Sequence, residues 1–442
     1  MRLDVWLDGV GYPAGTLEAF DNGAIGFRYT EDYLRHGAFP LSQSLALRPD
    51  RFDDVVTRAF FDNLLPENDQ IRRLIEREGI SLDDIVGILY HLGADCSGAI
   101  SCLPEGAPPV KMPGDIAADY EPLSEEGAAA IMNSLAEYQR LPDETQDPSP
   151  LAGVQGKMAL TVLPDGRWAL PKADRKVPST HILKVPARGD QTDVKHEWAA
   201  CAFMTGLDLP TSLPRHVEKG GVQGLLITRF DRVVSGNKVS RVHQEDFAQA
   251  LGLPRGLKYE RQGRDGRAFN AQAVNGLLNK VKMPAKDKRL FILATLLNLA
   301  LGNNDNHAKN HALLYVNGPV PILAPFYDIL PVRLNDRYTD RLSFDIGAAR
   351  RLEDVTGADV ESFLRTFGIE GARYRRFIET EVAPLFHRLD SLSEGLIEEN
   401  MKGFDDLIGG NLRSLKRVME LHLAIRERDL FVARGGGWLS GS

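Results

Sequence analysis

The sequence predicts an α+β fold with a β-rich N-terminal half and a helical C-terminal half. Up to Phe230 the apolar residues fall mainly in short runs bounded by Gly, Pro and Asp, the pattern of strands and turns. From Gln244 onward they recur largely at helical spacing. The most apolar run, Leu290 to Leu301, has 12 residues where a bilayer span needs about 20, so it reads as a core helix. The 442 residues are 43% hydrophobic and 26% charged, which excludes a mostly disordered, collagen-like or coiled-coil chain. A net charge of −8 removes any global basic field for nucleic acid or anionic lipid, while leaving local patches open.

Taken in order, Leu3–Leu7 and Gly23–Tyr29 read as strands, a helical tract runs from Asp53 to about Leu92, and Gly98–Leu103 returns to strand. Residues 104–122 are rich in Pro and Gly and look like a linker or surface excursion. A second loop-like stretch, Leu141–Pro150, leads into Met158–Leu163, a Pro164-Asp165-Gly166 turn and Trp168–Leu170, together a hairpin. His181–Val185 is a strand, and Asp193–Leu207 a helix with Trp198, Cys201, Ala202 and Leu207 available for burial. Val217–Phe230 has strand character again. Helices are expected at 244–251, 270–282, 286–301, 354–367, 371–390 and 411–427, interrupted by a β-insert at Ala312–Val316 and Val320–Leu323. A cleft is expected between the two halves. Three cysteines, Cys96, Cys102 and Cys201, fit buried reduced thiols of a cytoplasmic protein better than a disulfide framework or a zinc site. The N-terminus lacks the apolar run of a secretory signal.

The polar stretch Gly302–Asn310 (GNNDNHAKN) directly follows the apolar helix, a good place for a rigidly held site. Asp305 and Asn310 have the D-x-x-x-x-N spacing of kinase catalytic loops, in which the Asp orients or deprotonates the attacking hydroxyl and the Asn binds a metal ion. Asp328, in Phe326-Tyr327-Asp328, offers a second hard oxygen ligand suited to Mg²⁺. The plainer alternative is that both aspartates cap local turns. His307 and His311 stand i, i+4, but Ala308 replaces the glutamate of a zinc-protease helix, so zinc is a poor second reading. Lys309 is either a solvated loop lysine or a cation that offsets charge on a transferring phosphate. Lys184 interrupts the apolar strand His181–Val185, and Glu197, thirteen residues on, is a candidate ion-pair partner in the next helix. Ala152-Gly153-Val154-Gln155-Gly156-Lys157 could lay backbone N–H groups against phosphates, although it is not a Walker A loop. Thr228-Arg229-Phe230 ends a strand where a linker could present backbone groups to adenine.

With these landmarks in order, the sequence resembles the HipA serine/threonine kinases, toxins of bacterial HipBA toxin–antitoxin systems. The resemblance runs nearly end to end through FFDNLLPE (60–67), LAGVQGKMAL (151–160), THILKVP (180–186), RFDR (229–232), QEDFAQALGLP (244–254), DNHAKN (305–310) and FYDI (326–329). It implies a bilobal, protein-kinase-like (PI3/4-kinase-like) fold: a β-rich subdomain at 1–105, a nucleotide-binding lobe at 106–232 and a helical catalytic lobe at 233–442. It further implies ATP and Mg²⁺ as cofactors and a hydroxyl on a protein of translation, typically an aminoacyl-tRNA synthetase, as the phosphate acceptor. By the same resemblance Asp305 is the catalytic aspartate, with Asn310 and Asp328 the metal ligands. Lys184 and the loop Ala152 to Lys157 hold phosphates, Thr228 to Phe230 form the adenine hinge, and His307, Ala308, Lys309, Asn310, Tyr327 and Asp328 line the nucleotide.

The implied partner is a HipB-like helix-turn-helix antitoxin, with operator DNA reached through it; no membrane partner is expected. Relatives often carry an autophosphorylated serine where this chain has Pro150, so Ser149 becomes the candidate for that role. Thr228 stands where an acidic residue is common. The basic cluster Arg373-Tyr374-Arg375-Arg376 is explained equally by a solvated helix face. Two rival functions remain at this level: a small-molecule kinase of the same fold, and a catalytically weak, DNA-bound scaffold.

Overall fold

The computed structural model describes residues 1–36, 39–65, 69–142, 145, 156–316, 318–335 and 337–428. It is a mixed α and β structure with separate hydrophobic cores. In the N-terminal unit four antiparallel strands lie in the order Ile25–Tyr29, Gly15–Ala19, Arg2–Leu7, Ile100–Pro104. Leu3, Val5 and Leu7 alternate onto the buried face, as a strand's two-residue period requires. The helices Asp54–Phe61 and Ile85–Leu92 contribute Phe60, Phe61, Ile88 and Leu89 to the same core. Asp53 and Asp84 cap these two helices by accepting from Val56 N and Gly87 N.

A six-stranded antiparallel sheet follows, ordered Arg215–Lys219, Val222–Thr228, His181–Val185, Gly156–Val162, Trp168–Pro171, Tyr120–Pro122. The helix Glu125–Tyr138, capped by Ser124, packs Ile131, Met132 and Leu135 against Met158, Leu160, Leu183 and Val185. Alternation therefore turns Lys157, Ile182 and Lys184 to the opposite face. The C-terminal unit is built around the helix Pro284–Leu301, in which every side chain from Leu290 to Leu301 is buried. No helix among the described residues is long and apolar enough to cross a membrane.

Several elements differ from expectation for identifiable reasons. Residues 104–122 are no free linker: Tyr120–Pro122 is the edge strand of the six-stranded sheet, and Lys111 is buried in an ion pair with Asp95 at 2.9 Å. The helix expected at 244–251 is a strand, Gln244–Asp246, followed by a single turn, Phe247–Ala250, because the strand pairs with Ala312–Leu314. The last helix is Lys402–Val418, not 411–427; its Gly409 lies against the Arg428 side chain, which returns along it to pair with Asp405. The helix expected at 371–390 contains a wide turn, Ile378–Val382, just before Pro384, which has no N–H to donate back into the helix. Trp198 stays 36% exposed, while Cys201 and Leu207 are buried. All three cysteines are buried and free.

Buried polar groups join the units. Arg241 donates to Asp8 Oδ2 at 2.7 Å and to Asp95 Oδ1 at 2.8 Å. Glu245 accepts from Ser42 Oγ at 2.5 Å, from the Gln43 amide at 3.1 Å and from Tyr315 OH at 2.5 Å. Burial outweighs these bonds and pushes the Glu245 carboxyl up from 4.5 to about 7. The folded state thus binds a proton that the unfolded state has released between pH 4.5 and about 7, so Glu245 costs stability as pH rises through that window. Glu245→Gln should flatten the loss of urea resistance between pH 5 and 7, and an unchanged slope would contradict the assignment.

Candidate active site

Two antiparallel pairings build the site. Ala312–Leu314 pairs with Ile322–Leu323, so the chain entering the first strand and the chain leaving the second lie at the same end. These are the loop Asp305–Asn310 and the segment Phe326–Asp328, and Tyr327 OH donates to Lys309 O at 2.8 Å. In the six-stranded sheet, Lys157 stands opposite Lys184 and Ile227 opposite Ile182. All four side chains line a cavity of about 380 Å³ between this sheet and the C-terminal unit. Thr228, Arg229, Phe230, Asp305, His307, Lys309, Asn310, Tyr327 and Asp328 line the same cavity.

Lys184 is the centre of charge. Its ammonium donates to Glu197 Oε2 and to Asp328 Oδ1, each at 2.6 Å, and it is 3% exposed. Burial by itself would lower the lysine, but the two carboxylates overcome that and hold it above its ordinary range. Burial likewise opposes ionisation of Asp328, yet Lys184 and Lys157 bring its carboxyl well below the usual range. Glu197 is shifted the other way, because burial and the neighbouring Asp328 outweigh Lys184. Two carboxylates thus share one ammonium, with Asp328 the more firmly ionised. Asp328 has φ 58°, the left-handed region that a residue with a side chain enters only when its surroundings impose it.

Asp305 is held by its own loop and by a neighbour. The helix Pro284–Leu301 stops at Gly302, whose φ of 77° suits glycine and whose absent Cβ would meet Leu407 Cδ2 at 2.8 Å. Asn303 Nδ2 then donates to Asn298 Oδ1 at 2.9 Å, and Asn303 Oδ1 accepts from Asp305 N at 3.1 Å. Tyr259 OH donates to Asp305 Oδ1 at 2.6 Å. Asn310 Nδ2 donates to Asp305 O at 2.8 Å. Asn310 Oδ1 and the second oxygen of Asp328 are hard donors beside the cavity, together with the carboxylate of Asp305, and oxygen donors of this kind fit Mg²⁺. The apolar walls Ile182, Ile227 and Phe230, with Phe230 and Tyr327 rings 5.5 Å apart, suit a flat aromatic base.

The HipA N-terminal domain family matches residues 3–103, and the HipA-like C-terminal domain family matches residues 149–386. The chain belongs to the HipA family. It is 31% identical to Y4mE of Sinorhizobium fredii, whose kinase name is itself provisional, over 94% of this chain and 98% of that one. It is 29% identical to the serine/threonine-protein kinase toxin HipA of Shewanella oneidensis, over 77% of this chain and 78% of that one. A solved complex of Shewanella oneidensis HipA with HipB and operator DNA has a similar fold, with TM-score 0.77, 23% identity, and 95% of this chain and 100% of that one covered.

Not every residue expected at the HipA-type site faces the cavity. Ala308 is buried in the C-terminal core, and its N–H donates to Lys258 O at 3.0 Å. Gly156 opens a strand, and its N–H is taken by Gln139 Oε1 at 2.7 Å. Arg229 does line the cavity, but its guanidinium turns to Asp231, with contacts of 3.0 and 2.9 Å, and its amide donates to Thr180 O at 3.0 Å. His311 is no metal partner of His307: it packs among Phe247, Phe269 and Phe291, and burial lowers it to about 3. Ser149, Pro150, Leu151, Ala152, Gly153, Val154 and Gln155 lie outside the described residues. Tyr259, Asn303, Asn63 and Asp246 also line the cavity; Asn303, Asn63 and Asp246 stand inside the stretches GNNDNHAKN, FFDNLLPE and QEDFAQALGLP, whereas nothing in the local sequence marks Tyr259. Lys184→Met removes the cation from the buried Glu197 and the partly exposed Asp328, which should cost on the order of 3 kcal/mol of stability at neutral pH, the low end for a broken buried pair because solvent screens Asp328. The deficit should shrink in acid, where the carboxylates protonate; urea melts at pH 7.5 and 4.5 that show equal deficits would refute this.

Proposed function

We propose that this HipA-family chain is an ATP- and Mg²⁺-dependent serine/threonine protein kinase with a bilobal, protein-kinase-like (PI3/4-kinase-like) arrangement. Residues 1–105 form the family's N-terminal subdomain, 106–232 the nucleotide-binding lobe and 233–442 the catalytic lobe. The observation that carries the reading is that Asp305 and the Lys184–Glu197–Asp328 cluster face one cavity. A kinase needs a cation for phosphates, a hard-oxygen metal site and a carboxylate for the acceptor hydroxyl within one cleft. Lys184 and Lys157 orient and neutralise the nucleotide phosphates, while Phe230 and the isoleucine walls exclude water from the base. Asn310 and Asp328 would hold Mg²⁺, which when bound offsets the charge of the phosphates. Asp305 orients the acceptor hydroxyl and takes its proton.

The named relatives support a toxin of a toxin–antitoxin module, and the HipA–HipB–operator complex supports a HipB-like antitoxin that brings the pair to operator DNA. The proposed place of action is the cytoplasm, with an aminoacyl-tRNA synthetase as the phosphorylated protein and arrest of translation as the result. Ser149 is the proposed site of any autophosphorylation.

Incubation with labelled ATP, Mg²⁺ and a bacterial extract should label a discrete protein. Asp305→Ala should reduce the transfer about 10²–10⁴-fold. Wild-type turnover in that variant would end the assignment of Asp305. In cells, expression without the antitoxin should arrest growth, and arrest undiminished in the Asp305→Ala strain would separate toxicity from kinase chemistry.

A further inference from the structure

The motif FFDNLLPE lies in the N-terminal unit, remote in sequence from every residue given a role above. The helix Asp54–Phe61 ends there in one tight turn, Asp62–Leu64. Asn63 is 2% exposed. Its amide nitrogen donates to Ala59 O at 2.8 Å and to Leu253 O at 2.7 Å. Its side-chain oxygen accepts from Lys309 Nζ at 3.1 Å, and its backbone oxygen lies 3.3 Å from the same nitrogen. Asn63 thus places both its donors and its acceptor on other groups, and Lys309 is fixed further by Asp246 at 3.2 Å. Lys309 stands in the catalytic loop beside Asn310, and its carbonyl receives Tyr327 OH.

The adjacent Asp62 reaches the other arm of the site. It accepts from Arg255 Nε at 2.8 Å and from the Arg255 amide at 3.2 Å. Three and four residues beyond Arg255 come Lys258, whose carbonyl receives the Ala308 amide, and Tyr259, whose hydroxyl binds Asp305. One dipeptide of the N-terminal unit therefore bears on the catalytic loop from both sides.

We propose that Asp62 and Asn63 are positioning residues for phosphoryl transfer, so that the N-terminal unit is part of the catalytic apparatus and not an appended partner-binding domain alone. The inference rests on the kinase reading above. Asparagine is required at 63 because the site has two carbonyls to satisfy and one ammonium to receive. Aspartate would set a carboxylate oxygen against the carbonyls, and leucine would take the amide donor from both carbonyls and one acceptor from Lys309. A shift of the loop by about an ångström is enough to cost about 10²-fold in rate.

The test is a double-mutant cycle on the full chain, with ATP and the labelled protein substrate, normalised to folded protein. Asn63→Ala should lower kcat about 10–100-fold while changing KM for ATP by less than about threefold. In a Lys309→Met background the same change should cost little more, since its route to the site is already cut. Hydrogen exchange in the 303–310 peptide should quicken, while the helix Gly357–Thr366 stays as in wild type. A unit that only glues domains together would lower the melting temperature but leave kcat per folded molecule unchanged, and that result overturns the proposal. So does full additivity in the cycle. Should Asn63→Ala fail to fold, Asp62→Asn carries the same test through Tyr259, with the same drop in kcat expected. Absence of any turnover in wild type is a different result, because it removes the kinase reading itself and this inference with it.

Discussion

Lys184 can be buried only because two carboxylates meet it, and they come from different parts of the chain. The lysine belongs to the central strand of a sheet, Glu197 to the helix that follows, and Asp328 to a segment of the C-terminal unit between the core residues Phe326 and Ile329. An ammonium left in that position without them would lose its hydration with nothing in return. The sheet, the helix and the C-terminal unit are therefore held at one mutual geometry by a single nitrogen. The cavity walls follow from that geometry, since the strand pairings that place Lys184 also place Lys157, Ile182 and Ile227.

The N-terminal unit is attached by the same kind of chemistry. Arg241 carries no exposed side-chain surface and answers Asp8 and Asp95, while Lys111 answers the other oxygen of Asp95. Such interfaces are directional: a hydrophobic face tolerates sliding, whereas buried ions and their hydrogen bonds accept one register. Glu245 shows the cost, because its carboxyl is bound by three donors and still resists ionisation. The unit is docked in one orientation.

Much of the candidate site was legible because its residues stand in short polar runs beside apolar ones. GNNDNHAKN after the apolar helix, FYD after the β-insert and Lys184 within an apolar strand all stand out by contrast with their neighbours. Tyr259 and Asn63 do not, because each becomes a site residue only through a contact 46 or 246 residues away. The helix expected at 244–251 went astray for the same reason, since QEDFAQA has helical spacing but Gln244–Asp246 finds a strand partner beyond residue 310. The helix Glu125–Tyr138 is absent from the expected elements although Ser124 is an ordinary N-cap residue, because the preceding stretch is rich in Pro and Gly and has loop character. Local pattern reported local structure well, and long-range pairing decided the rest.

The spacing of these contacts has a consequence for the chain as it is made. Asn63 leaves the ribosome long before Lys309, and Lys184 waits for Asp328, 144 residues later. Because chains emerge at about 5–20 residues per second, the N-terminal unit has tens of seconds in which to fold before its catalytic partner exists. A nascent or prematurely terminated chain ending before Asp328 holds neither the completed charge cluster nor the Phe326–Asp328 wall. Assembly of the cluster and of that cavity wall is thereby tied to completion of synthesis through that point.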